Sequence, residues 1–122
     1  MTKVMLVEDD PTMFDLLKTL LSLEGFEVAV SSGGPDVLTE VKAQVPDLML
    51  IDVHLRMADG REINGFDLLK QIRQDPNLKH TRILMSSGID FRYKSADEGA
   101  DGFVHKPYMP DELINKLKAL VA

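Results

Sequence analysis

Cysteine is absent from the 122 residues, which excludes disulfides, thiolate nucleophiles and sulfur-ligated metals, and fits a reducing compartment. Long apolar runs are missing as well. No stretch is long enough for a transmembrane span, and the N-terminus enters a strand-like segment at once, with no signal peptide. A cytoplasmic location is expected. Clustered positive charge is the third absence: 14 Lys and Arg stand scattered against 20 Asp and Glu, for a net charge of -6. Neither a nucleic acid nor an anionic membrane would find its electrostatic footprint here. His54, His80 and His105 are dispersed and have no Cys beside them, so a zinc site is not expected.

What is present is alternation. Five short runs rich in Val, Ile, Leu, Met and Phe lie at residues 3–8, 26–30, 47–51, 82–86 and 102–105. The first, third and fourth are nearly continuous in apolar character, as parallel strands covered on both faces should be. Helical periods separate them. Residues 11–24 carry a broad stripe with Phe14, Leu17 and Leu21 and close at Gly25. Residues 35–44 open on Pro35 and align Val37, Leu38 and Val41. Residues 65–73 carry Phe66, Leu68, Leu69 and Ile72, and residues 110–121 carry Leu113, Ile114 and Leu117. Residues 90–99 are polar and weakly periodic, assigned to a helix because a crossover must occupy them. The whole chain, 1–122, reads as one domain without repeat or linker. Strand and helix alternation implies an α/β, doubly wound, five-stranded parallel sheet of flavodoxin-like order 2-1-3-4-5, with helices on both faces.

In such a sheet the C-terminal strand ends share one rim, around the switch point where ligands bind. The sequence puts Glu8, Asp9 and Asp10 after the first run, Asp52 after the third, Ser86, Ser87 and Gly88 after the fourth, and His105, Lys106 and Pro107 after the fifth. Crowded carboxylates repel one another unless a cation neutralises them, and an all-oxygen ligand set without Cys favours Mg2+. Asp52 is the candidate nucleophile, Lys106 the candidate counter-charge and Ser87 the candidate hydroxyl donor. Simpler readings exist for each residue alone. Asp10 before Pro11 makes a good helix N-cap, Ser87-Gly88 a turn and Lys106-Pro107 a solvated loop. Asp52 is harder to read that way, because an acid closing the run LMLI with no helix following has little structural reason to be there.

The segments VEDDPT, LMLIDVHL, ILMSSG and VHKP together resemble the receiver domains of two-component response regulators, in the right order and across the whole chain. The resemblance implies that Asp9 and Asp10 hold Mg2+, with Asp52 and the backbone carbonyl of His54 completing the metal site. It implies that Asp52 accepts a phosphoryl group, that Ser87 hydrogen-bonds it and Lys106 pairs with it, and that the rotamer of Phe103 follows it. It further implies a cis peptide before Pro107. The donor would be a histidine kinase or a histidine phosphotransfer protein. The output would be a reshaped face of fourth helix, fifth strand and fifth helix, read by a downstream protein, with the chain a monomer or a phosphorylation-dependent dimer. Catalysis would be self-directed only, and Ile89, two residues past Ser87, implies slow self-dephosphorylation.

One departure stands out. ADGREINGF resembles the family's third-helix start with five extra residues, which predicts a longer loop over 56–64 beside the site. That departure keeps open a pseudo-receiver, an interaction module with the same fold and no phosphorylation. A flavin carrier of the same strand order is disfavoured, because Glu8, Asp9 and Asp10 would repel its phosphate. A hydrolase with its aspartate nucleophile on the first strand would need a DxD pattern that EDDPT lacks. No output segment follows the last helix, so the chain is expected to act on its own.

Overall fold

The structure is a computed structural model that describes residues 1–31, 37–56 and 60–121. Strands β1 (Lys3–Val7), β2 (Glu27–Val30), β3 (Leu48–Asp52), β6 (Arg82–Ser87) and β7 (Gly102–His105) form one sheet in the order β2-β1-β3-β6-β7, every neighbouring pair parallel. This is the expected 2-1-3-4-5 order once the remaining two strands, β4 (His54–Arg56) and β5 (Glu62–Asn64), are set aside as a separate antiparallel pair.

Side chains alternate along each strand, so each face of the sheet collects its own core. Val4, Leu6, Leu48, Leu50, Leu84 and Val104 pack against helices α1 (Pro11–Leu23) and α5 (Pro110–Val121) through Leu17, Leu21, Leu113 and Leu117. Met5, Val7, Met49, Ile51, Ile83 and Met85 pack against α2 (Val37–Gln44) and α3 (Gly65–Gln74) through Val41, Phe66, Leu69 and Ile72. All five residues of β3 are buried, which is why its sequence runs apolar without alternation until Asp52. Each fully buried Leu or Met here contributes about 1.5–3 kcal/mol relative to exposure.

Three expectations change. The fourth helix, expected over 90–99, is α4 (Arg92–Asp97). Asp90 accepts a hydrogen bond from the Arg92 amide through Oδ1 at 3.0 Å, forming a turn before the helix, and Gly99 at φ +97° ends it. The longer loop over 56–64 contains the β4–β5 hairpin, held by the pairs His54–Asn64, Leu55–Ile63 and Arg56–Glu62, with Met57, Ala58 and Asp59 outside the described residues. Leu55 is buried in the α2–α3 core while His54 and Arg56 face out, so this short ribbon follows strand periodicity. Strand β1 stops at Val7, one residue before Glu8. The predicted opening of α2 at Pro35 lies outside the described residues. Among the described residues, no helix is long and apolar enough to cross a membrane.

Candidate functional site: an acidic cleft at the sheet rim

The alternation that sorts the two cores also builds the site. Leu6, Leu50, Leu84 and Val104 share the face toward α1 and α5. Two residues further along each chain segment come Glu8, Asp52, Ser86 and Lys106. Period-two geometry therefore delivers two acids, a hydroxyl and an ammonium to the same side of the sheet at its C-terminal rim.

Their contacts are direct. Lys106 Nζ lies 2.8 Å from Asp52 Oδ1 and 2.9 Å from Oδ2, and donates to Glu8 Oε2 at 3.2 Å. Ser86 Oγ donates to Asp52 Oδ1 at 2.7 Å, both residues being buried. Oxygen atoms of Glu8, Asp9 and Asp52 all lie within 4.8 Å of one another. Burial, reinforced by the hydrogen bond and the charge of Asp52, pushes the Glu8 carboxyl from its ordinary 4.5 up to about 7, against the pull of Lys106. Burial of Lys106 opposes its charge, but the hydrogen bond and charge of Asp52, with those of Glu8, prevail and raise the ammonium's pKa. One cation faces a group of acids that it cannot neutralise alone.

The two acids expected as a pair, Asp9 and Asp10, take different positions. Asp10 lines the cleft, but its Oδ1 accepts from the Thr12 and Met13 amides at 3.0 and 3.3 Å, capping α1. The acid that joins Asp9 and Asp52 is Glu8. Its position was legible from parity, because it continues the Val4, Leu6 side of β1. Ser86 follows the same rule: Ser87 is the strand's last hydroxyl, yet parity turns Ser86 toward Asp52.

Two neighbours hold the rim in place. The hairpin reaches back through the Arg56 amide, which donates to Asp9 Oδ2 at 2.8 Å. Gly65 opens α3 with its amide bonded to the Val53 carbonyl at 2.7 Å, and a Cβ there would collide with the backbone carbonyl of Asp52. Only glycine permits that approach. His54 lines the cleft, its ring exposed and 6.2 Å from that of Phe91. Ser87 is buried, and its Oγ accepts from the Ile89 amide at 3.1 Å. Phe103 pairs in register with Met85 on the face toward α2 and α3, partly buried, two positions before the partner of Ser87. The peptide between Lys106 and Pro107 is cis. The other two histidines sit apart, His80 on the surface at the opposite rim and His105 with its ring Nε2 at 2.9 Å from the Gly88 carbonyl.

Residues 4–118 match the response regulator receiver domain family. Among relatives, the DNA-binding response regulator MtrA of Mycolicibacterium smegmatis is 32% identical over 117 residues, covering 96% of this chain and 49% of that protein. The transcriptional regulatory protein CpxR homolog of Haemophilus influenzae is 35% identical over 122 residues, covering 99% of this chain and 51% of its own length. The chain thus spans about half the length of these relatives. Among solved structures, the chemotaxis response regulator CheY4 of Vibrio cholerae superimposes with a TM-score of 0.84 at 27% identity, covering 98% of both chains. The N-terminal domain of the nisin resistance regulator NsrR gives 0.82 at 30% identity, covering 99% of this chain and 98% of that one. The fold, the acidic rim and these matches lead to one conclusion: the chain belongs to the response regulator receiver domain family, the phosphorylatable switches of two-component systems.

Proposed function

We propose that Asp52 is the phosphoryl acceptor of this switch, that Glu8 and Asp9 with Asp52 hold a Mg2+ ion, and that Lys106, Ser87 and Phe103 respond to the phosphoryl group. The observation that carries this reading is the buried Asp52 carboxylate with Lys106 at 2.8 Å and the Glu8 and Asp9 oxygens within 4.8 Å. The donor set fits a hard divalent cation, since it is all carboxylate oxygen and its negative charge exceeds what Lys106 supplies. The backbone carbonyl of His54, at the cleft wall, is the further candidate ligand. When bound, Mg2+ supplies neutralising charge to the phosphoryl oxygens and to the acids around them.

The protein's own groups do the rest. An Asp52 oxygen attacks phosphorus, its bond to phosphorus forming as the bond to the donor's leaving atom breaks, and Lys106 balances the charge on the transferring group. The donor is a phosphohistidine of a histidine kinase or phosphotransfer protein, and the chain works in the cytoplasm. The new oxygens then accept from the Ser87 hydroxyl, whose oxygen meanwhile accepts from the Ile89 amide. Drawing Ser87 and its turn inward frees space on the face shared by Phe103, and the surface of α4, β7 and α5 changes with it. A downstream protein reads that surface. No other substrate is turned over; hydrolysis of its own acyl phosphate resets the switch.

Incubation with acetyl phosphate and Mg2+, followed by intact mass measurement, tests the reading. Wild type gains one phosphoryl group and Asp52→Asn gains none; uptake by the mutant equal to wild type would refute it. A folded wild-type chain that takes no phosphoryl group from acetyl phosphate or from a phosphohistidine donor would instead favour the pseudo-receiver.

A further inference from the structure

A buried serine that follows the apolar run Ile83, Leu84 and Met85 needs an explanation. Ser86 is buried in β6, on the side of the sheet that its neighbour Leu84 gives to the α1–α5 core. A buried hydroxyl without a partner is costly, and an apolar residue would pack here as Leu84 does. Its partner is Asp52 Oδ1, at 2.7 Å. The backbone enforces the meeting: Asp52 and Ser86 are register partners, and the Val53 amide donates to the Ser86 carbonyl at 2.9 Å. The two Asp52 oxygens are consequently unlike. Lys106 reaches both, at 2.8 and 2.9 Å, while Ser86 reaches only Oδ1.

We infer that Ser86 is a positioning residue that reserves Oδ1 as the oxygen that does not receive the phosphoryl group, and that it shortens the life of the acyl phosphate formed on Oδ2. The inference rests on Asp52 being the acceptor. In the free state Ser86 donates to a carboxylate; after transfer, Oδ1 is the carbonyl oxygen of a mixed anhydride and carries much less charge. Hydrogen bonds to charged acceptors are roughly twice as strong as neutral ones, so Ser86 stabilises the dephosphorylated state more. During hydrolysis water attacks phosphorus, the bond from phosphorus to Oδ2 breaks, and its electron pair returns to the carboxylate. Inorganic phosphate leaves and the water's surplus proton passes to solvent. Charge grows on Oδ1 by resonance as that bond breaks, and Ser86 is already aimed at it.

The test loads wild type, Ser86→Ala and Ser86→Thr with acetyl phosphate and Mg2+, removes the donor and follows the phosphorylated mass with time. Ser86→Ala should be phosphorylated and should lose the group about five- to tenfold more slowly, the difference between a charge-assisted and a neutral hydrogen bond. Ser86→Thr, which keeps the hydroxyl, should decay like wild type. A loosened fold would admit water and speed the decay, so slowing is not what mere structural damage produces. A second measurement follows the loaded proteins after unfolding in guanidinium, where all three should decay alike. Decay of folded Ser86→Ala at or above the wild-type rate, or a difference that persists after unfolding, would overturn the inference. If wild type itself is never phosphorylated, the acceptor assignment has failed first, and that outcome is separable because it appears before any comparison of lifetimes.

Discussion

The two rims of the sheet carry comparable numbers of charged groups and treat them in opposite ways. At the N-terminal rim Arg73 donates to the carbonyls of Gly99, Thr81 and Lys79 at 2.8, 2.6 and 3.0 Å, and pairs with Asp101 at 2.8 Å. Asp101 in turn accepts from the Ile83 amide at 2.8 Å and meets Arg82 at 3.4 Å. Two guanidiniums face one carboxylate here, but Arg73 is satisfied by three carbonyls as well as Asp101 and Arg82 is largely exposed, so the buried part of the network closes on itself. At the C-terminal rim Glu8, Asp9 and Asp52 gather around Lys106 with acid in excess. A closed network holds elements together; an unbalanced one is prepared for a ligand of the missing charge.

The largest expected effect separates the rims by exchanging what each loses. Lys106→Ala should lower the rate of phosphoryl uptake by about 10²–10³-fold, the range for removing one preorganised charge-stabilising donor. Arg73→Ala should leave that rate near wild type and lower stability by about 2–3 kcal/mol, as several charge-assisted bonds and the partner of Asp101 go. Acetyl phosphate kinetics beside chemical denaturation reads both. Equal damage to uptake from both variants would erase the distinction.

The next effect is in pH. The folded Glu8 carboxyl, pushed up to about 7 from 4.5, keeps a proton that the unfolded chain releases, so stability falls as the pH rises between those values. The contribution is fully present below the unfolded value and lost above the folded one. Denaturation at a series of pH values without divalent cation should show this fall in wild type and not in Glu8→Gln. Saturating Mg2+ should remove it, since the cation favours the ionised acids. A rise in wild-type stability relative to Glu8→Gln over the same interval would contradict the crowding of the rim.

Smaller still is the steric effect of Gly65→Ala, expected to cost about 1–3 kcal/mol as α3 and the Asp52 carbonyl move apart, with slower phosphorylation alongside. Smallest is Asp10→Ala, which should cost about 1 kcal/mol through the lost cap of α1 and leave Mg2+ affinity close to wild type. Asp9→Ala should do the reverse. Mg2+ titration and thermal unfolding of the pair would show whether Asp10 or Glu8 belongs with Asp9.

Much of this architecture was readable before any coordinates. The runs LMLI and VMLV are apolar on both faces and bracketed by helical periods, which leaves a parallel sheet as the arrangement that satisfies them. Asp52 was legible because a charge at the end of a buried strand has few structural uses, and Lys106 only jointly with it, as one of the polar groups that close four strands at one rim. Glu8 and Ser86 were missed although the signal was present: both fall two residues beyond an apolar side chain of the face that carries Asp52. Residues 8–10 invited a reading by adjacency, where alternation along β1 was the stronger guide. The hairpin was legible only as extra length, because strands of three residues depend on nonlocal partners such as Leu55 and Ile63 rather than on their own pattern. Helix α4 was overextended because the competing turn at Asp90 is a side-chain contact.

The central claim, that the phosphoryl group arrives on Asp52 and not on another acid of the crowded rim, is tested most directly by trapping. Reduction of the phosphorylated protein with borohydride converts an aspartyl phosphate to homoserine, which peptide mass mapping then locates. Homoserine at position 52 is the predicted result. A reduced acid at Glu8, Asp9 or Asp10, with Asp52 intact, would contradict it.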